Sequence, residues 1–113
     1  MSVERALKKV DLLRHELKAL RYLLESFDES GFPRGQAPAR EDFQTEQSRL
    51  IYDAIAGARD RQDAEARIGA LELEGVDLDS FLRLSGRHYY TYPDLVRQRA
   101  EAIRSGAIVV EDS

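Results

Sequence analysis

His15 and His88 are the only histidines in this 113-residue chain, and there is no cysteine. Neither histidine has a carboxylate or a second histidine at metal-ligand spacing, and the lack of thiols removes both a disulfide framework and any thiolate centre. No metal and no cofactor is therefore expected. Asp77-Leu-Asp79 lacks the other ligands and the glycine of a calcium loop, so it reads as a helix cap. No glycine-rich phosphate loop, serine nucleophile elbow or pair of working acids is present. Catalysis rests on His15 alone, and the chain reads as non-enzymatic. A different chemistry is suggested by Arg87-His-Tyr-Tyr-Thr-Tyr92, followed by Arg97, Arg99 and Arg104. Rings interleaved with cations suit single-stranded nucleic acid, with bases stacked on tyrosine and phosphates met by arginine. Packing of Tyr89, Tyr90 and Tyr92 in helix junctions is the competing account, and the acidity of the chain favours it.

The elements that would hold these residues are helices. Val3, Ala6, Val10, Leu13, Leu17, Leu20, Leu24 and Phe27 alternate in steps of three and four. That 3.5-residue period predicts one long helix over about 3–28 with a nearly straight apolar seam. Leu7, Leu12 and Leu23 widen it beyond what one short helix covers. A homodimer is expected, with Val10, Leu13, Leu17, Leu20 and Leu24 as the oligomer seam. His15 falls on the opposite, outer face. The glycines and prolines of segment 31–40 predict a linker. A bundle over 41–107 follows, with helices near Asp42–Arg59, Asp63–Leu73 and Asp77–Leu84. Thr91-Tyr-Pro-Asp94 reads as a capping box that opens the last helix, which runs to Ala107. Residues 108–113 form a short tail, in which Ile108, Val109 and Val110 suit either a short strand or docking on the bundle. The fold class is all-α, a single domain of four to five helices.

On the second helix Leu50, Ile51, Ala54, Ile55 and Ala58 share one face, which turns Arg49, Asp53 and Gln47 outward. Arg97 and Arg104 take the outer side of the last helix. Arg49, Asp53, Arg97 and Arg104 are thus the candidate partner contacts. The net charge of −4 argues against nucleic acid as the main partner. Between Asp60 and Asp79 seven acids face two arginines, whereas Arg83 to Arg104 holds five arginines against two acids. Such polarity suits self-association or a charged protein partner, and equally a pair of solvated faces. No apolar run approaches the length that spans a bilayer, and the charged start is unlike a signal peptide, so a cytoplasmic protein is expected.

Two resemblances add to this. His15-Glu-Leu-Lys18 resembles the phosphoacceptor box of sensor histidine kinases and histidine-phosphotransfer domains. The resemblance implies that the imidazole attacks a phosphoryl group while the acid assists proton transfer and the lysine screens the phosphate. Ala19 and Leu20 stand where that box has Thr or Asn and then Pro. The longer likeness begins at Asp42. Asp42-Phe43, then Arg49-Leu-Ile-Tyr-Asp-Ala-Ile55, resembles a helical segment in the amino-terminal domain of bacterial replicative helicases and in the helicase-binding end of bacterial primase. Leu73-Glu-Gly75, Gly86, Tyr89-Tyr90, Tyr92, Val96, Arg97, Ala100 and Arg104 follow in a similar order. This implies an all-helical adaptor with a helicase or primase as partner. Ser48 replaces the family's frequent histidine, and the motor domain is absent.

Overall fold

The computed structural model describes residues 5–27, 31, 32, 35 and 37–111. Their order is β1 (Arg5–Lys8), α1 (Lys9–Glu25), a 3-10 turn (Arg40–Asp42), α2 (Glu46–Ala56), α3 (Arg61–Gly69), α4 (Leu78–Arg83), a second 3-10 turn (Gly86–His88), α5 (Tyr92–Arg104) and β2 (Ile108–Glu111). The protein is mostly helical, but a strict all-α reading is corrected by a two-stranded parallel sheet in which Arg5 is in register with Ile108 and Lys8 with Glu111.

The first helix is shorter than its sequence period predicts. Residues 5–8 keep apolar residues at helical spacing yet are extended, and Lys8 enters α1 in an extended conformation without a side-chain cap. Pairing with the β-branched run Ile108–Val110 outweighs the local helical preference. Val3 lies outside the described residues. The buried stripe of α1 is also not the straight seam. It comprises Leu12, Glu16, Ala19, Leu20, Leu23 and Leu24, continued by Phe27 just beyond the helix, and winds with the ordinary 3.6-residue period of a helix packed on its own domain. Of the seam, Leu20 and Leu24 are buried, Leu13 and Leu17 half-buried, and Val10 is 52 % exposed.

Ala19, Leu20, Leu23, Leu24 and Phe27 meet Phe43, Ile51, Ala54 and Ile55 from the α2 region, Ala64 and Ile68 from α3, Phe81 from α4 and Val96 from α5. Phe32, Ala37 and Pro38 anchor the linker to this core. Phe32 packs edge-on against Tyr52 with ring centres 5.7 Å apart, and Pro38 is buried. Acidic caps set the starts of the short helices. Asp60 accepts from the Asp63 amide at 2.7 Å, and Asp77 accepts from both the amide and hydroxyl of Ser80. Thr91 precedes α5 as expected but makes no side-chain cap bond, and Asp94 pairs with Arg97 instead. Gly106, at φ +82°, turns the chain out of α5 into β2, a conformation that costs glycine little. Among the described residues no helix is long and apolar enough to cross a membrane.

Candidate functional site

His15 does not stand on an outer face. Helix α5 and the Gly86–His88 turn cover that side of α1, so the imidazole is half-buried against Tyr92, with ring centres 5.9 Å apart, and hydrogen-bonded through Nδ1 to Arg99 Nη1. A guanidinium only donates, so Nδ1 is the acceptor and the proton of the neutral ring sits on Nε2. In this arrangement neither ring nitrogen offers a free lone pair to a phosphoryl group. Burial lowers the His15 pKa most, followed by the positive charges of Arg99 and Lys18, with Asp11 opposing. The folded state therefore holds fewer protons on this ring than the unfolded state does. Its contribution to stability is complete above about pH 6.5 and is lost as the pH falls through the depressed folded value. A proton NMR titration should place the His15 midpoint below about 6.5, and Arg99→Ala should raise it.

The tyrosines beside His15 are already engaged. Lys18 Nζ sits 5.6 Å from the Tyr89 ring centre and 5.3 Å from that of Tyr92, and the two rings meet edge to face at 5.5 Å. A base would have to displace the lysine to stack there. Tyr90 is the exposed member of the group, at 68 %, and shares a shallow pocket with Tyr22, Pro93, Asp94 and Arg97.

Three of the four candidate partner contacts gather around the turn Arg40–Asp42. Arg104 binds Asp42 at 2.6 Å, tying α5 to the turn, and Arg40 grips Asp53 with two bonds of 2.8 and 3.1 Å, tying the turn to α2. Arg49 is half-buried and donates from Nε to the carbonyl of Phe43 at 2.7 Å. Arg97 lies farther along α5, against Asp94. Asp42 also accepts from the Ala39 amide at 3.1 Å, and Phe43 is fully buried. Each residue of the Asp42-Phe43…Arg49…Asp53 pattern thus has a structural task within this chain, in addition to whatever surface it offers.

The most deeply buried charged side chain among the described residues is Glu16, whose importance its position next to His15 hides. It is 1 % exposed and projects from α1 onto the start of α2. Its carboxylate accepts from the Gln44 amide at 2.7 Å, the Thr45 amide at 3.2 Å and the Thr45 hydroxyl at 2.6 Å. Thr45 in turn caps α2 through the Ser48 amide. Glu16 is therefore a cap donated from another helix, where amide donors and the helix dipole favour a negative group. Desolvation still prevails over these bonds and pushes its pKa up. One turn on, Arg21 is 5 % exposed, with Nη1 3.0 Å from Glu25 Oε2 but off the axis of a hydrogen bond, and its Nε without an acceptor. Glu25 also binds Arg61 Nη2 at 3.0 Å, linking α1 to α3.

The uncovered part of the apolar seam is the surface with the clearest capacity to bind. Leu17 lines a groove of about 180 Å³ together with Val76, Phe81 and Leu84, and Val10 and Leu13 precede it on the same stripe of α1. Arg14 and Lys18 form its α1 rim and Asp77 stands at the α4 end. Leu84 is 41 % exposed. No family model, curated protein or solved structure matches the chain, so the meaning of this surface is carried by its geometry.

Proposed function

We propose that this protein is a non-enzymatic, cytoplasmic interaction module that seats an amphipathic helix of a partner protein along α1. The observation that carries the reading is the half-used seam. The bundle buries Leu20 and Leu24 but leaves Val10, Leu13 and Leu17 in line with an apolar groove bounded by charged residues. A helix laid there would add its own apolar stripe to that of α1, and the rims would fix its direction by charge. The resemblance over residues 42–104 makes a bacterial replicative helicase or primase the partner of choice, and a replication-associated adaptor or regulator the role.

The test uses the two most exposed apolar groups of the surface. Val10→Glu with Leu84→Glu should weaken binding to the amino-terminal domain of a replicative helicase, or to the helicase-binding domain of primase, by tenfold or more, about 1.4 kcal/mol. The melting temperature should move by only a few degrees, because exposed substitutions cost about 0.5 kcal/mol or less each. Calorimetric titration checks the first and a thermal melt the second. Undiminished binding by the folded double variant would overturn the groove as the docking surface.

A further inference from the structure

The two-stranded sheet has two outer edges, and they differ in kind. β1 reads Arg5-Ala-Leu-Lys8 and continues into Lys9, whereas β2 reads Ile108-Val-Val-Glu111 and carries no charge before its last position. Lysine and arginine along an edge are common guards against the addition of a further strand. β-Branched residues do the reverse, since they favour extended pairing. Val109 is 44 % exposed, and among the described residues no strand lies on the far side of β2. A pair of parallel strands is also a small unit to stand alone, because sheets of this kind are normally extended and covered.

We propose that β2 pairs antiparallel with β2 of a second copy about a two-fold axis, giving a four-stranded sheet in the order β1-β2-β2-β1. The two-fold sets one residue opposite its own copy, and centred on Val109 it places Val109 opposite Val109, Ile108 opposite Val110 and Glu111 opposite Ala107 of the second copy, so no like charges face each other. Each Glu111 keeps Lys8 of its own chain in register on its other side. Backbone amides and carbonyls supply the ladder, as in other strand-addition contacts. The self-complementary contact closes on itself, and the edges left outside are the basic ones, so assembly stops at a dimer and does not run on into a fibre.

Sedimentation velocity over a concentration series of the full chain tests this, together with hydrogen exchange of the β2 amides. The unmodified protein should pass from monomer to dimer, and amides within 108–111 should exchange more slowly as the dimer forms. Val109→Lys should raise the dimer dissociation constant by tenfold or more. Val10→Glu, on the exposed start of α1, should leave it unchanged. A protein that stays monomeric at its highest soluble concentration overturns the proposal. So does a dimer that Val109→Lys leaves intact, or one that Val10→Glu dissolves. Should Val109→Lys fail to fold, the exchange series on the unmodified protein decides: a dimer whose β2 amides exchange at the monomer's rate would rule out this edge.

Discussion

Gly86→Ala is expected to cost about 3 kcal/mol or more of stability and to lower the melting temperature by roughly 15 °C. Gly86 is buried where the second 3-10 turn presses on α1, and a methyl group there would stand 2.4 Å from the carbonyl oxygen of Arg21 and 2.8 Å from its carbonyl carbon. Both obstacles are helix backbone, so neither can rotate away as a side-chain tip would. Relief requires the turn to lift off α1, which would also loosen Tyr89 and Tyr92 from Lys18. Gly69→Ala is the matching control. It ends α3 with nothing within 4 Å of the added carbon, and alanine's better helix propensity should leave stability unchanged or raised by up to about 1 kcal/mol. Parallel thermal melts of the two variants check both values.

Glu16→Ala should be comparably damaging, with a loss of about 3 kcal/mol. Two backbone amides and a hydroxyl at the start of α2 lose their acceptor at once, in a place that α1 shields from water, and each orphaned donor costs about 1 kcal/mol or more. Glu16→Gln should do less harm, because its amide oxygen still serves Thr45 while its NH2 group opposes the Gln44 amide. The pH dependence separates charge from hydrogen bonding. Since burial raises the folded pKa above the ordinary 4.5, the folded state holds this proton more tightly than the unfolded state does. Stability from this group is greatest below about pH 4.5 and declines as the pH rises through the elevated folded value. Urea midpoints measured across that window should show the decline in the unmodified protein, and its loss in Glu16→Gln.

Periodicity and caps located α2 through α5 to within a few residues, because each depends on neighbours in the chain, whereas α1 begins six residues later than its pattern predicts. Asp77 accepts from Ser80 as its position before Leu78 suggests, and Ile51, Ala54 and Ile55 are buried as a 3.6-residue face predicts. Local reading fails where the deciding partner is remote. Residues 5–8 carry a helical pattern, and only β2, at the other end of the described chain, makes them a strand. His15 reads as solvent-facing until α5 supplies Arg99 and Tyr92. Glu16 looks like a charge that helps its neighbour, and its burial becomes intelligible only with the amides of Gln44 and Thr45 in view. The heptad seam is the instructive middle case. A helix packed on its own bundle needs a stripe of 3.6, so the straight line and the buried stripe coincide at Leu20, Leu24 and Phe27 and diverge towards Val10.

The parallel register of Arg5 with Ile108 gives the molecule a kinetic order of assembly. Joining positions so distant in sequence from an open chain carries a closure entropy of about 4 kcal/mol before any pairing is gained, more than four residues of ladder return. The strands can therefore meet only after α1 and α5 have docked and brought their flanking residues together. The sheet is the last element to form on folding and the first to open when the helices part, so β1 and β2 act as a clasp whose closure reports that the bundle behind it is complete.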